Sequence, residues 1–166
     1  MTLKRLIKKK ILFVCTGNTC RSVMAAALAQ RALAGMSLEG VQVEIASSGL
    51  VAMPGDSASP GAVTVMRQKG IDLSDHRAAL LTRRDVEDAD LVLTMTSGHQ
   101  EALCRLIPSC TGKIHILARY AGAVGDVSDP FGQSDHIYRQ VAAALEELVA
   151  SALQRFGDEC SGIKRL

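Results

Sequence analysis

The alternation of short apolar segments with amphipathic segments is the feature that most constrains the fold of this chain. Residues 11–15 (ILFVC) are apolar at every position, which is typical of a strand buried on both faces of a parallel sheet. Further strands are predicted at residues 41–46, 89–95 and 113–117, and helices at residues 22–34, 59–69, 98–106 and 134–156. This order predicts the α/β class: a doubly wound four-stranded parallel sheet with helices on both faces.

Length, charge and cysteine content exclude several classes of protein. The chain has 166 residues, which suits one domain, and its net charge of +2 is too small to favour nucleic acid or an anionic membrane. The basic residues 1–10 lack a signal-peptide core after them, so a solvated N-terminal arm is predicted there. Five cysteines without framework or metal-ligand spacing predict a reducing, cytoplasmic location, no structural disulfides and no metal site.

The loop after the first strand has the composition of an anion-binding cradle. It contains Thr16, Gly17, Asn18, Thr19 and Cys20. Glycine permits positive φ and close backbone approach, and asparagine tolerates the left-handed region. A short loop that curls into a helix N-terminus points successive N–H groups inward, and the helix dipole reinforces their attraction for an anion. In a doubly wound sheet, ligands bind beyond the carboxyl ends of the strands, where this loop lies.

Reactive side chains flank this loop on both sides. Arg21 supplies a planar fork suited to two phosphate oxygens, and the positive field of the cradle favours the thiolate of Cys15. Ser22 can donate its hydroxyl to that thiolate and ease its departure from phosphorus. A cysteine that ends a strand is commonly an inert core residue, but the complete pattern Cys-x-Gly-Asn-x-Cys-Arg-Ser at a strand-to-helix junction indicates a catalytic site.

Residues 15–22 (CTGNTCRS) resemble the phosphate-binding loop of the low-molecular-weight protein tyrosine phosphatase family, whose pattern is Cys-x5-Arg-Ser. Residues 70–78 and 89–95 are similar to further family segments, and Asp129-Pro130 matches the loop that carries the family's general acid. Val23 departs from the family, which usually has proline there. The resemblance covers most of the chain and implies a single phosphatase domain over residues 11–158, followed by a tail over residues 159–166.

Two features resemble a bacterial subgroup, the protein-arginine phosphatases. The loop is identical to theirs over residues 15–22, and Asp129-Pro130-Phe131-Gly132 is similar to their acid loop. Thr19 offers the pocket a hydroxyl and one methyl group, which leaves room and polarity for a guanidinium. The resemblance implies phosphoarginine on proteins as the substrate, with phosphotyrosine as the alternative, and places Phe131 at the pocket mouth or as a helix-start staple.

The resemblance also implies a mechanism without a cofactor. Cys15 attacks phosphorus while the loop and Arg21 hold the oxygens; Asp129 protonates the leaving group and then activates water. The predicted catalytic residues are Cys15, Arg21 and Asp129, and the predicted substrate-binding residues are Thr16, Gly17, Asn18, Thr19, Cys20, Ser22 and Phe131. The predicted partners are phosphorylated proteins, and neither nucleic acid nor a membrane; the oligomeric state stays open.

Several alternatives accompany this prediction. Asp126 is a second candidate acid, less favoured because Pro130 stiffens the backbone beside Asp129. His76 is predicted to be a hydrogen-bonded structural histidine. The hydroxyls of residues 47–48 are predicted either to reach Asn18 or only to form a turn. Cys20 is interpreted equally as the partner of Cys15 in a reversible disulfide or as a small packing residue.

Two other functions compete with a protein phosphatase. A thioredoxin-coupled arsenate reductase uses a similar loop, but it needs a cysteine relay after the third strand, and residues 95–100 contain no cysteine. A non-catalytic phosphoprotein-binding or redox-sensing module would need a degraded nucleophile or acid loop, and neither is degraded. Hydrolysis is therefore the preferred interpretation.

Overall fold

A four-stranded parallel sheet forms the centre of the molecule, whose computed structural model describes residues 4–162. The strands are β1 Ile7–Cys15, β2 Val41–Gly49, β3 Leu91–Thr94 and β4 Ile114–Ile116. Their order is β2-β1-β3-β4, so the chain passes from β1 outward to β2 and then returns across β1 to β3. The predicted fold class is confirmed, and the reversal of direction places a crevice at the carboxyl end of β1.

Helices surround this sheet. They are α1 Arg21–Ala34, α2 Pro60–Gln68, α3 Arg83–Asp88, α4 Ser97–Leu106, α5 Leu117–Tyr120 and α6 Asp135–Cys160, with a 3-10 helix at Pro108–Lys113. The sequence did not predict α3, α5 or the 3-10 helix, because segments this short show no helical periodicity. A capping box between Thr82 and Asp85 stabilises the N-terminus of α3.

The side-chain alternation of β1 divides the core into two layers. Ile11, Phe13 and Cys15 face the larger cluster, which they share with α1, α2 and α6. Leu12 and Val14 face the smaller cluster, which includes residues of α3 and α4. All five side chains are buried, so the uninterrupted apolar segment is explained by burial on both faces of the sheet. Cys15 thus ends its strand on the side of α1 and α6.

The first strand and the last helix extend beyond the residues predicted for them. Strand β1 begins at Ile7, so residues 7–10 of the predicted solvated arm pair with the start of β2. Backbone pairing tolerates lysine there because Lys9 and Lys10 meet acidic partners, Asp90 and Glu44. Residues 1–3 of the predicted arm and residues 163–166 of the predicted tail lie outside the described residues, while residues 159–160 belong to α6. Within residues 4–162, no helix has the length and apolarity needed to cross a membrane.

Candidate active site

The loop between β1 and α1 is held in shape by Asn18. Of the two loop residues for which the sequence suggested a positive φ, Asn18 has it, at 54°, and Gly17 does not; Asn18 is the only non-glycine residue of the described chain with a positive φ. The Asn18 amide nitrogen donates to Ser22 Oγ at 2.9 Å and to Ser47 Oγ at 3.0 Å, and its oxygen accepts from the backbone N–H of Ala79 at 2.9 Å. These bonds offset the cost of the left-handed conformation, about 1–2 kcal/mol.

The close approach to this loop occurs at Gly49, the last residue of β2. A Cβ there would lie 2.5 Å from the carbonyl oxygen of Thr16 and 2.8 Å from the backbone nitrogen of Asn18. A Cβ at Gly17 would meet only the Thr19 hydroxyl, at 3.8 Å. Of the two serines before Gly49, Ser47 reaches Asn18 as one alternative predicted, whereas Ser48 Oγ is buried without a hydrogen-bond partner.

The thiol of Cys15 receives hydrogen bonds from two directions. Its sulfur lies 2.9 Å from Ser22 Oγ and 3.3 Å from the backbone nitrogen of Asn18. Since Ser22 Oγ already accepts a hydrogen bond from the Asn18 side-chain amide, its own proton is free to point at the sulfur. This arrangement suits an anionic sulfur, and it includes the hydroxyl that the sequence placed beside Cys15.

Arg21 connects the cradle to the loop that carries Asp129. Its guanidinium donates to the carbonyl oxygen of Val127 at 3.2 Å and lies 3.4 Å from a carboxylate oxygen of Asp129. The Arg21 side chain is 6% exposed, and the Asp129 side chain is 52% exposed. Asp126 is engaged elsewhere, because its carboxylate accepts from the backbone N–H of Ser97 at 2.8 Å at the start of α4.

A cavity of about 620 Å³ opens above this cradle. Most of the predicted site residues line it: Cys15, Thr16, Gly17, Thr19, Cys20, Arg21, Asp129 and Phe131. Asn18 and Ser22 are fully buried and do not line the cavity. Its rim carries Val51, Met53 and Phe131, which are 71%, 67% and 68% exposed, together with the carboxylate of Asp56. No sequence pattern predicted Val51, Met53 or Asp56 at this mouth.

Cys20 belongs to a buried cluster of hydroxyl groups behind the cradle. Its sulfur lies 3.0 Å from Ser59 Oγ and 3.4 Å from the Tyr138 hydroxyl, and these two hydroxyls are 3.1 Å apart. Burial, and then the hydrogen bond with Cys20, raise the pKa of Tyr138 to about 12, so its hydroxyl stays protonated. Cys15 and Cys20 are free thiols, and their reversible disulfide stays a prediction.

Two histidines contact the loop from outside. His76 lies 2.8 Å from the carbonyl oxygen of Asn18, which agrees with the predicted hydrogen-bonded structural role. His99 was not predicted, and its Nε2 lies 2.9 Å from the Thr16 hydroxyl. Burial, and then the charge of Arg21, lower the pKa of His99. The sequence order offers a partial signal for the position of His99 beside the loop. His99 lies at the start of α4, which follows β3, and β3 pairs directly with β1.

The chemistry of the site is that of an anion receptor next to a nucleophile. Residues 4–162 contain no group of three His, Cys, Asp or Glu side chains arranged to hold a metal ion. The N-terminus of α1 and the guanidinium of Arg21 are instead positive groups that attract an anion. A phosphoryl group bound there would face the sulfur of Cys15.

Comparison with protein families matches this architecture to a known one. A model of the low molecular weight phosphotyrosine protein phosphatase family matches residues 10–161. A protein-arginine-phosphatase of Geobacillus stearothermophilus is 40% identical over 151 residues, 90% of this chain and 97% of the relative. One from Bacillus subtilis is 44% identical over 140 residues, 84% of this chain and 91% of the relative. The low molecular weight protein-tyrosine-phosphatase PtpB of Staphylococcus haemolyticus is 37% identical, covering 84% of this chain and 94% of the relative.

Solved structures agree with the sequence relatives. A crystal structure of a YwlE mutant from Bacillus subtilis superposes with a TM-score of 0.82 at 40% identity, covering 89% of this chain and 98% of that one. A serine mutant of the YwlE arginine phosphatase, with its active-site serine phosphorylated, superposes with a TM-score of 0.81 at 41% identity. The match covers 87% of this chain and 94% of that one. The agreement extends over nearly the whole domain.

Proposed function

Because this chain belongs to the low molecular weight phosphotyrosine protein phosphatase family and is a cysteine-dependent phosphatase, we propose that it hydrolyses phosphoarginine on proteins. One observation carries the proposal: the Cys15 sulfur receives two hydrogen bonds at the base of a cavity that Arg21 and Asp129 also line. The residues proposed as nucleophile, oxyanion donor and acid therefore line one cavity, which supports the proposal.

In the first proposed step, the thiolate of Cys15 attacks phosphorus opposite the leaving group. The sulfur–phosphorus bond forms while the bond from phosphorus to the guanidinium nitrogen breaks. Loop amides and the Arg21 fork hold the equatorial oxygens, whose negative charge they stabilise in the transition state. Asp129, half-exposed and 3.4 Å from Arg21, delivers a proton to the departing nitrogen.

In the second proposed step, water replaces the sulfur on phosphorus. Asp129, now a carboxylate, accepts a proton from the attacking water, and the phosphorus–sulfur bond breaks to release inorganic phosphate. The departing thiolate is stabilised by the Ser22 hydroxyl and by the backbone N–H of Asn18. The same two donors therefore assist the nucleophile at the start and the leaving group at the end of the cycle.

The wall of the cavity supports arginine over tyrosine. Thr19 lines it with a hydroxyl and one methyl group, and its carbonyl accepts a hydrogen bond from the backbone N–H of Ser59 at 2.9 Å, which fixes its position. A hydroxyl suits a guanidinium, whereas a larger aliphatic wall would suit a phenyl ring. Relatives named protein-arginine-phosphatase match over most of both chains. The tyrosine-phosphatase relative keeps phosphotyrosine as the second candidate substrate.

The rim of the cavity supports protein substrates over small metabolites. Its volume of about 620 Å³ lies in the range of pockets that enclose drug-sized ligands, ~300–1,000 Å³. Val51, Met53 and Phe131 leave large apolar side chains in solvent around its mouth. Exposed apolar groups clustered at one opening are typical of a surface that a partner covers. A polypeptide that flanks the phosphorylated side chain would cover them.

Phosphate release from matched substrates tests the proposal. We expect a phosphoarginine protein to be hydrolysed with a higher kcat/KM than a phosphotyrosine peptide, and free phosphoarginine, which cannot reach the rim, to show a higher KM. Arsenate under thiol recycling is the third substrate, and no reduction is expected. Efficient hydrolysis of phosphotyrosine with poor hydrolysis of phosphoarginine would reassign the substrate, and rapid arsenate reduction would reassign the reaction.

A further inference from the structure

We propose that His99 is a positioning residue, which orients the Thr16 hydroxyl as an additional hydrogen-bond donor to the bound phosphoryl group. The inference rests on the proposed function, because it assigns a role within the same site. His99 Nε2 lies 2.9 Å from Thr16 Oγ1, and Thr16 lines the cavity immediately after Cys15. His99 itself does not line the cavity, so it acts through Thr16.

The direction of this hydrogen bond follows from the other ring nitrogen. His99 is 8% exposed, and its Nδ1 is buried without a hydrogen-bond partner. A buried N–H without an acceptor is rarer and more costly than a buried lone pair without a donor. The proton of a neutral imidazole therefore belongs on Nε2, which donates to Thr16 Oγ1. The hydroxyl accepts at its oxygen and keeps its own proton free for the phosphoryl oxygens.

The surroundings of His99 keep its ring neutral. Burial, and then the positive charge of Arg21, lower its pKa, while the carboxylates of Asp126 and Asp129 oppose this shift less strongly. A neutral ring can leave Nδ1 unprotonated, whereas a protonated ring would bury a second cation beside Arg21. The charge balance around the site thus favours the tautomer that the hydrogen bond requires.

The backbone around His99 is fixed on the sheet, so the ring is a rigid support. The His99 N–H donates to the Thr96 hydroxyl at 3.1 Å, which caps α4, and the Met95 N–H donates to the Val14 carbonyl oxygen at 3.1 Å. Without the ring, the exposed Thr16 hydroxyl would rotate freely among its rotamers. With it, one rotamer already holds the donor before substrate arrives, and preorganised donors are the effective ones in stabilising a transition state.

Removing either partner tests this role. Thr16→Val keeps the shape of the side chain without its hydroxyl, and His99→Phe keeps a flat ring without its donor. We expect each to lower kcat/KM for a small aryl phosphate by about 10–100-fold, in the range for one donor to a charged group. The double variant is expected to be no worse than the poorer single variant, because both lose one interaction. His99→Gln, which can still donate, is expected to recover part of the loss.

The control is His115→Phe, since His115 is a second histidine with a pKa lowered by burial, and it lies on β4 away from the cavity. We expect this variant to keep wild-type kcat/KM. Calorimetric binding of inorganic phosphate to each variant needs no turnover, so this readout separates failure of the inference from failure of the proposed function. Additive losses in the double variant, or unchanged phosphate affinity in Thr16→Val, would overturn the inference. If His99→Phe does not fold, the phosphate affinity of Thr16→Val still tests the inference, because Thr16 is exposed and its substitution should leave the fold intact.

Discussion

The two edges of the catalytic cavity are built in opposite ways. On the cradle edge, Asn18 and Ser22 are fully buried, and hydrogen bonds from β2 and from the segments around His76 and Ala79 converge on the loop. On the acid-loop edge, Asp129 is half-exposed, and its carboxylate contacts Arg21 and the backbone N–H of Phe131 at 3.1 Å. The residues of the cradle are thus buried in a network, and the proposed acid is left in contact with solvent.

This difference follows from what each edge is proposed to do. Donors to a doubly charged phosphoryl group are effective only when they are oriented beforehand, which a saturated network provides. An acid that protonates a leaving group and then deprotonates water must reach both, which a rigid buried carboxylate could not do. Changes to the cradle are therefore expected to affect every substrate, and changes to the acid loop to depend on the leaving group.

Removing the nucleophile gives the largest expected effect. Cys15→Ser should lower kcat by more than about 10⁴-fold, as loss of a covalent nucleophile does in other enzymes. A serine hydroxyl can still accept the hydrogen bonds that the sulfur receives from Ser22 and the Asn18 N–H, so the free energy of unfolding and the affinity for phosphate should stay close to wild type. Turnover of a small aryl phosphate, urea unfolding and calorimetric phosphate binding measure these three quantities. Near-wild-type turnover by this variant would remove Cys15 from the mechanism.

Removing the acid gives an effect that depends on the substrate. Asp129→Asn should lower kcat by ~10²–10⁴-fold for poor leaving groups and much less for good ones, because good leaving groups need little protonation. A series of aryl phosphates whose phenols differ in pKa measures this effect as a slope, the dependence of kcat on the pKa of the leaving phenol. Asp126→Asn is the matched control: its amide oxygen can still accept from the Ser97 N–H, so stability should stay close to wild type with no change in slope. A steeper slope for Asp126→Asn would exchange the two assignments.

Thr19 lines the cavity wall and is not part of the buried network around Asn18, so changing it should alter selectivity. Thr19→Ile adds aliphatic surface that packs on a phenyl ring and removes a polar contact near a guanidinium. The ratio of kcat/KM for phosphoarginine to that for phosphotyrosine should fall by roughly 10–200-fold, the range for small changes in a specificity pocket. Both substrates are measured on both proteins. An unchanged ratio would show that Thr19 does not select the substrate.

Crowding the cradle from outside should weaken the network without removing any chemical group. Gly49→Ala places a Cβ 2.5 Å from the Thr16 carbonyl oxygen, and the displaced loop should cost about 1–3 kcal/mol in the free energy of unfolding. Catalytic efficiency should fall for all substrates alike. Gly112→Ala is the control, because a Cβ there meets nothing within 4 Å. It shows how much a glycine-to-alanine change alters stability where nothing is crowded. Equal stability of the two variants in urea would contradict the close packing.

Acid should weaken the cradle edge through His99, the smallest expected effect. Its pKa is lower in the folded protein than in the unfolded chain, so the unfolded state binds more protons below about pH 6.5. The stabilisation is present above that pH and is lost as the pH falls through the folded pKa. In urea unfolding, the free energy of unfolding of His99→Gln should decrease less steeply with falling pH than that of wild type. The difference in slope is at most about 1.4 kcal/mol per pH unit, the value for one proton. The same pH dependence of stability in the two proteins would show that folding does not change the pKa of His99.

The sequence by itself determined the sheet and the contents of the loop. The uninterrupted apolar segment at residues 11–15 required burial on both faces, and the alternation of strands with helices predicted the parallel sheet. The spacing from Cys15 to Ser22 placed nucleophile, anion-binding loop and arginine at one junction, because such local groups are adjacent in the chain and in space. The family could be identified from this local loop together with the similar segments at residues 70–78 and 89–95 and with Asp129-Pro130.

Only the tertiary structure decided how the loop is held. The loop residues make hydrogen bonds to partners that are distant in sequence: Asn18 to Ser47 and Ala79, Cys20 to Tyr138, and Thr16 to His99. It also decided that Gly49, and not Gly17, permits the close approach, and that β1 starts at Ile7 on the strength of its pairing with β2. Local composition limits which conformations a segment can adopt, but hydrogen bonds between distant segments depend on the packing of the whole sheet, which no short pattern encodes.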